Sequence, residues 1–243
     1  MFPSGCRAEA YHSSSTAVPA RETDPADDTA MTLTSTAKSD KDDLIASLMP
    51  HCRLTRYAAR APIIARGQPS NDLLYIVSGS VTVLLEDEHG REIVLGYLNE
   101  GEFFGEIALL TDSPNRTAFV RARSPCQVAH IGYARLKSLP VIFPDVIFLI
   151  ACQLASRLLK TNRRLRDLAF MDVSGRIART LLDLCKEPDA MTHPDGMQIR
   201  VTRQELGRIV GCSREVVGRV LKSLAEQDLI FVKGKTIVVY GAR

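Results

Sequence analysis

The chain has 243 residues, which suffices for two ordinary domains because compact domains usually run to about 100–200 residues. Apolar residues make up 45% and charged residues 24%, which excludes a collagenous, coiled-coil-only or wholly disordered chain. No stretch approaches the roughly 18 consecutive apolar residues of a membrane helix, and the N-terminus lacks the pattern of a secretory signal. We therefore expect a cytoplasmic protein that does not associate with a membrane.

The six cysteines are scattered, with no CxxC pair and no His/Cys cluster, which predicts neither a disulfide scaffold nor a metal site. The charges are distributed unevenly. Residues 1–50 carry 4 basic and 8 acidic side chains, whereas residues 173–243 carry 12 and 8. The last third is therefore a candidate for facing phosphates, although such a surplus is also common on a solvated surface.

Residues 1–40 are rich in Ser, Thr, Ala, Asp, Glu and Pro and contain almost no large apolar side chains. Such a segment buries too little apolar surface to offset chain entropy, which predicts a disordered tail. Met31 lies inside this tail, just before a predicted helix from Lys41 to Leu48, and is an alternative start codon to Met1.

Residues 54–132 consist of short apolar runs cut by Gly, Pro and Asn, a pattern that predicts an all-β sandwich or barrel. The runs VTVLL and REIVLGYL are joined by a polar loop that ends in Gly90, which predicts a hairpin.

Beyond Pro144 the period becomes helical, and apolar positions recur at alternating spacings of four and three residues. This is the a/d seam of a coiled coil, and it favours a parallel homodimer over a helix that packs only on its own domain. The seam positions are Ile147, Ala151, Leu154, Leu158, Thr161, Leu165 and Leu168. After the seam, the residues Asp172–Gly175 predict a break in the helix that serves as a hinge.

The last third predicts a helix from Arg176 to Cys185, a polar loop, and two short helices joined by a turn. Thr202 and Ser213 are predicted N-caps of these helices, which end at Val210 and about Gln227. Two short helices that meet through a Gly-containing turn are typical of a helix-turn-helix. A hairpin formed by residues 230–232 and 236–240 would make the domain winged.

The second of these helices begins with polar side chains suited to reading a DNA major groove. Arg214 and Arg219 can pair with guanine, and Glu215 can accept from cytosine. Ser213, Gln204 and Lys222 are placed for phosphates, which fix position rather than sequence. The alternative is a packed helix pair whose charged side chains only form surface ion pairs.

A candidate ligand site lies in the β region. Gly105, Glu106 and Ile107 end one strand and begin a helical turn, where backbone N–H groups can bind an anion. Arg116 and Thr117 follow, and an arginine beside a hydroxyl can hold a phosphate. Glu106 can accept from a sugar hydroxyl. Taken alone, these residues also fit an ordinary turn and a surface pair.

Taken in order, the motifs GEFFGEIALL, NRTAFVRA, DVSGRIARTLLDL and TRQELGRIVGCSREVVGRVLK closely resemble the CRP/FNR family of cyclic AMP receptor proteins. The resemblance covers about residues 42–243. It implies an α+β fold with a cyclic-nucleotide-binding jelly-roll barrel (41–143), a dimerisation helix (144–171) and a winged helix-turn-helix (172–243).

The resemblance also implies residue roles for cAMP. Gly105, Glu106 and Ile107 match the family's phosphate-binding cassette, with Glu106 on the ribose. Arg116 and Thr117 match the groups on the cyclic phosphate. Thr161 matches the residue that contacts the adenine amino group, and Arg157 matches a position one turn earlier in the same pocket. Asn162, which reaches across from the second subunit, departs from the usual Ser or Thr.

For the remaining partners, the resemblance implies TGTGA-like half-sites on double-stranded DNA and contact with RNA polymerase. The loop Ala190 to Gln198, centred on Thr192 and His193, resembles the surface that touches the polymerase α subunit. Arg53 and Arg135 match a second polymerase contact.

These features give a mechanism in which cAMP shifts an equilibrium of the hinge toward a DNA-competent dimer. A regulator controlled by cyclic di-GMP, or one active without ligand, shares the DNA-binding end and remains the alternative. An iron–sulfur oxygen sensor would need clustered cysteines. An enzyme built on His193 and Asp195 would lack a nucleophile.

Overall fold

A computed structural model of the protein describes residues 41–111 and 113–242. The predicted disordered tail and the alternative start at Met31 lie outside these residues. Residues 41–48 form helix α1, as the sequence predicts, and a single 3₁₀ turn, Met49–His51, follows it. Within the described residues, no helix combines the length and the apolar character needed to cross a membrane.

Two four-stranded antiparallel sheets form the barrel. The predicted hairpin is confirmed, because Val81 pairs with Leu98 and Leu85 with Ile93. The first sheet contains, in spatial order, β1 (Arg53–Tyr57), β8 (Cys126–Gly132), β3 (Asp72–Ser78) and β6 (Phe103–Phe104). The second contains β2 (Pro62–Ile64), β7 (Phe119–Ala122), β4 (Ser80–Glu86) and β5 (Glu92–Asn99).

The barrel has one core between its sheets and another beneath its helices. Leu74 and Ile76 of the first sheet and Val81 and Val120 of the second belong to the inner core. Between β6 and β7 lies the short helix α2 (Ile107–Leu110). The outer core joins the first sheet to α1 and to the helices α3 (Tyr133–Lys137) and α4 (Phe143–Phe170).

The 28-residue helix α4 divides into two parts. Val146 and Ile150 in its first half are buried in the outer core of the barrel. Leu158, Leu165 and Leu168 in its second half are 61%, 65% and 54% exposed. The two interpretations of the seam therefore both apply. The first half packs on the barrel through one face but also exposes Phe148, which is 69% exposed, and the exposed apolar side chains continue into the second half.

The break after α4 is shorter than the predicted Asp172–Gly175. Helix α5 (Val173–Leu184) begins directly after Asp172, whose Oδ1 accepts a hydrogen bond of 2.9 Å from the Gly175 N–H. Ser174 and Gly175 are therefore helical, because this N-cap satisfies a backbone donor of the first turn. Only Met171 and Asp172 separate the two helices.

The C-terminal domain contains the predicted winged helix-turn-helix. Helix α6 (Arg203–Val210) is capped by Thr202 and α7 (Arg214–Glu226) by Ser213, and Gly211 supplies the left-handed turn at φ 77°. The domain's sheet has the order β11 (Ile230–Lys233), β12 (Thr236–Tyr240), β10 (Gly196–Arg200) and β9 (Met191–His193).

The prediction of a polar loop before α6 is wrong in part, because the second half of that segment forms the hairpin of β9 and β10. Met197 and Ile199 pack into the domain core, which draws the segment into the sheet. Gly196 has φ 155°, and a Cβ at this position would collide with the Val239 carbonyl. The turn residues around Pro194 conceal this strand pairing in the sequence.

Candidate functional site

The barrel contains a cavity of about 510 Å³ bounded by β4, β5, the β6–α2 turn, the start of β7 and α4. Asn162 is exposed on α4, outside this cavity. The other seven predicted ligand residues line it, and these are Gly105, Glu106, Ile107, Arg116, Thr117, Arg157 and Thr161. The structure therefore brings together residues that lie up to 56 positions apart in the sequence, from Gly105 to Thr161.

Arg116 is a buried cation whose side chain is only 8% exposed. Its Nη1 donates to the Gly105 carbonyl at 3.1 Å, and its Nη2 donates to the Asp72 carbonyl at 2.9 Å. Nη2 also forms a short ion pair with Asp72 Oδ1. Because a buried charge is costly unless it is paired, these acceptors hold the guanidinium in a fixed place beside the cavity.

Gly105 is required at the turn for two reasons. Its φ of 80° is a conformation that L side chains rarely adopt, and a Cβ would collide with Arg116 Nη1 and lie 2.9 Å from Leu74 Cδ1. The Tyr133 hydroxyl donates a short hydrogen bond to the Gly105 carbonyl. The turn is thus fixed by contacts on both sides.

Glu106 and Arg157 form the second charged pair of the cavity. Arg157 Nη1 lies 3.1 Å from Glu106 Oε1, and Arg157 also donates to the Phe103 carbonyl at 2.5 Å. Among the described residues, the buried Arg157 Nε has no hydrogen-bond partner. One turn further along α4, the Thr161 hydroxyl donates to the Arg157 carbonyl at 2.9 Å, which leaves its oxygen able to accept.

Behind Arg116 lies a group of side chains that the sequence analysis missed. Asp72 Oδ2 is 2.8 Å from Nδ1 of the buried His130, and His130 Nε2 is 3.2 Å from the Tyr57 hydroxyl. Burial alone would raise the pKa of Asp72, but the hydrogen bond with His130 and the charge of Arg116 together lower it. No local motif marks these residues, because they lie on three separate strands.

The predicted base-reading side chains share one face of α7. Arg214, Glu215 and Arg219 are exposed and line a shallow depression with Lys222, whereas Val217 and Leu221 are buried beneath them.

Two of the three predicted phosphate contacts lie beside this face. Gln204 and Arg214 line an adjoining depression that reaches Gly234 of the wing. The Ser213 hydroxyl accepts from the Val216 N–H at 3.4 Å. A second hydrogen bond, between the side chains of Ser213 and Glu215, is the largest cause of the lowered pKa of Glu215.

The hairpin of β4 and β5 contacts the C-terminal domain directly. Tyr97 lines the ligand cavity and also donates to Glu205 of α6 at 2.8 Å. Burial and the Glu205 carboxylate raise the pKa of Tyr97, so the phenol keeps its proton and remains the donor. Glu92 lies 2.9 Å from both Arg121 of the barrel and Arg208 of α6.

The residues predicted to contact RNA polymerase lie at two positions on the surface. Thr192 and His193 are on strand β9 rather than in a loop. Arg53 is exposed on β1, and Arg135 of α3 donates to His51 at 3.0 Å.

Across the described part of the chain, no group of three His, Cys, Asp or Glu side chains is arranged to hold a metal ion.

Two family models match the chain. Residues 54–140 match the cyclic nucleotide-binding domain, and residues 175–240 match the Crp-like helix-turn-helix domain. These matches cover the barrel with its cavity and the domain with the exposed face of α7. Together they define a DNA-binding regulator with a cyclic nucleotide as ligand.

The chain is also similar to characterised regulators. It is 56% identical over 199 residues to the cAMP-activated global transcriptional regulator Vfr of Pseudomonas aeruginosa, a match that covers 81% of this chain and 93% of Vfr. It is 50% identical over 206 residues to the cAMP-activated global transcriptional regulator CRP of Escherichia coli O157:H7, covering 85% and 98%. The chain belongs to the CRP family of transcriptional regulators.

Among solved structures, the chain is similar to the c-di-GMP responsive global regulator CLP of Xanthomonas campestris. The TM-score is 0.78 at 46% identity, and the match covers 82% of this chain and 99% of CLP. The α+β fold and the assignment to a regulator rather than an enzyme are confirmed by these relatives.

Substituting Gly105 by Ala tests whether the turn must lie against Arg116. We expect Gly67→Ala, at φ 84° with no described atom within 4 Å of the new Cβ, to lose about 1–2 kcal/mol of unfolding free energy from backbone strain. Gly105→Ala should lose at least about 1 kcal/mol more, because its Cβ must displace the buried guanidinium. Urea unfolding of both variants measures the difference, and equal losses would contradict the account.

Proposed function

We propose that this protein is a homodimeric transcription regulator that cAMP activates for binding to TGTGA-like palindromic sites. The observation that carries the proposal is the cavity in which Arg116, Glu106 and Thr117 meet Thr161 of α4. In that cavity one ligand contacts both the barrel and the helix with the exposed seam. Since the proposed target is DNA, the protein would act in the cytoplasm.

The chemistry of the cavity supports a cyclic nucleotide monophosphate. Its volume of about 510 Å³ lies within the range of small-molecule sites, roughly 300–1,000 Å³. Arg116 supplies a fixed positive charge for the cyclic phosphate, and Thr117 supplies a neighbouring hydroxyl. Gly105 and Ile107 carry the backbone around this phosphate. The Glu106 carboxylate is an acceptor for the ribose hydroxyl.

An adenine amino group would be recognised at α4. The Thr161 oxygen is free to accept from that amino group, because its own proton is donated to the Arg157 carbonyl. Arg157 would hold Glu106 in place from the next turn. Asn162 is exposed beside Thr161 and would contact the ligand bound by the second subunit.

The exposed second half of α4 supports the homodimer. Its stripe at Leu158, Leu165 and Leu168 would be buried against the same stripe of a second copy, as in a parallel coiled coil. In the DNA-competent dimer, the two α7 helices would lie roughly 34 Å apart and enter successive major grooves.

The contacts of β5 suggest how the ligand would bias DNA binding. Tyr97 borders the ligand cavity and hydrogen-bonds Glu205, so a ligand-dependent shift of β5 would act on α6. The break at Met171 and Asp172 would serve as the hinge. Such a coupling is typically on the order of 1–3 kcal/mol.

At the DNA, Arg214, Glu215 and Arg219 would read bases, while Ser213, Gln204 and Lys222 would contact phosphates. Thr192 and His193 on β9, together with Arg53 and Arg135, would contact RNA polymerase, the first pair its α subunit. The domain boundaries that we propose are 41–143, 144–171 and 172–243.

The second candidate is a regulator of the same fold that cyclic di-GMP controls or that needs no ligand. The similarity to CLP, a c-di-GMP responsive regulator, supports the form that cyclic di-GMP controls. The two candidates share the DNA-binding face and differ in the occupant of the cavity.

Binding of cAMP and its effect on DNA binding separate these candidates. We expect calorimetry to detect cAMP binding to the wild-type protein, and a gel shift on a TGTGA palindrome to require cAMP. Arg116→Ala should lower the cAMP affinity at least about tenfold, because the phosphate loses its charge-assisted donor. Arg66→Ala is the matched control, since Arg66 is exposed and donates only to the Glu86 carbonyl among described residues.

Equal DNA binding with and without cAMP would exclude the cAMP switch. If cyclic di-GMP binds and releases DNA while cAMP has no effect, the second candidate is correct.

The division of roles on α7 predicts two different DNA-binding defects. Arg219→Ala should weaken binding to the TGTGA palindrome by about 1–3 kcal/mol and leave binding to scrambled DNA nearly unchanged. Lys222→Ala should weaken both about equally and reduce the salt dependence, because a phosphate contact carries no sequence information. Fluorescence anisotropy with both DNAs measures this, and identical profiles of the two variants would contradict the assignment.

A further inference from the structure

Arg116 contacts Asp72, which is the first member of a continuous chain of hydrogen-bonded side chains from three strands of one sheet. Asp72 of β3 pairs with Arg116 through Oδ1 and with His130 of β8 through Oδ2, at 2.8 Å from Nδ1. His130 Nε2 is 3.2 Å from the hydroxyl of Tyr57 on β1. His130 is only 9% exposed, so its ring is surrounded by these neighbours rather than by water.

The charges of this group do not balance once a phosphodiester is bound. With His130 neutral, Asp72 and Arg116 already cancel each other. A bound phosphodiester adds one negative charge, so two anions then share a single buried guanidinium. Water at Asp72, whose side chain is 32% exposed, and the cations Lys160 and Arg164 that also line the cavity offset part of this excess. A proton on His130 would remove the remainder beside Arg116.

The surroundings of His130 accommodate both protonation states without a change of geometry. A neutral ring donates from Nδ1 to Asp72 and accepts at Nε2 from Tyr57, and a protonated ring donates at both nitrogens, because a phenol oxygen also accepts. The charged and titratable neighbours are Arg53 and Tyr57 on β1, Asp72 on β3, and Arg116 beyond Asp72. Arg53 lies opposite His130 and disfavours the proton, but it is exposed and therefore screened by water.

We propose that Asp72 and His130 are positioning residues of the ligand site, which hold Arg116 and make cyclic-nucleotide binding proceed with uptake of a proton at His130. This inference rests on the proposed function, since it requires a phosphodiester at Arg116. The ligand affinity should therefore increase as the pH falls through the range in which histidines titrate, about pH 8 to about pH 6.

Calorimetry of the full chain with cAMP, repeated at one pH in buffers of different ionisation enthalpy, measures proton uptake directly. We expect uptake of up to one proton at about pH 7 and an increase in affinity of about threefold to tenfold between about pH 8 and about pH 6. His130→Gln retains a donor to Asp72 but cannot take up the proton. Asp72→Asn retains an acceptor for Arg116 but removes the charge that holds the proton.

Both variants should lose the proton uptake, and Asp72→Asn should bind cAMP at about pH 8 no more weakly than the wild type. His89 is an exposed histidine in the loop between β4 and β5, and the control variant His89→Gln should keep the proton uptake of the wild type. Thermal unfolding of each variant checks that it folds, and either variant alone decides the question because the two substitutions act on opposite ends of one hydrogen bond.

Wild-type binding without proton uptake, or uptake that persists in His130→Gln, would overturn this inference and leave the proposed function intact. If the wild type binds neither cAMP nor cyclic di-GMP, the proposed function fails and the inference fails with it.

Discussion

A guanidinium removed from water must be surrounded by acceptors, and the arrangement of the barrel around Arg116 satisfies this requirement. Its acceptors are Asp72 at the start of β3 and the Gly105 carbonyl after β6, two segments that the strands bring together. Gly105 leaves room for the side chain because it has no Cβ, and Tyr133 holds its carbonyl. The hydrogen bonds and the ion pair that stabilise this buried cation therefore also hold it beside the ligand cavity.

Two structural elements extend from that cavity to the rest of the molecule. Helix α4 lines the cavity through Arg157 and Thr161 and continues into the exposed apolar stripe. Strand β5 lines it through Tyr97, whose hydroxyl binds Glu205 at the start of α6. A ligand in the cavity would thus contact one element that leads to the second subunit and another that leads to the DNA-binding domain. In the proposed mechanism, a ligand bound beside Arg116 would act on both surfaces through these two elements.

The sequence predicts the features that depend on short-range patterns. Two apolar runs joined by a polar loop that ends in Gly90 predict the β4–β5 hairpin, and the hydroxyl side chains of Thr202 and Ser213 predict where α6 and α7 begin. The resemblance to the family identifies seven residues that line the cavity. The support by Asp72 and His130 could not be predicted, because it joins separate strands through side chains without a common motif. The β9–β10 hairpin was missed because its turn residues mask the alternation of Met197 and Ile199 with polar neighbours.

In the proposed mechanism, one coupling free energy links ligand binding in the cavity to DNA binding at α7. The most direct measurement is the affinity for the TGTGA palindrome with and without saturating cAMP, together with the affinity for cAMP with and without that DNA. Because coupling between two binding sites is reciprocal, both ratios should equal the same factor, about fivefold to 150-fold. Binding of cAMP that leaves the DNA affinity unchanged would contradict the account.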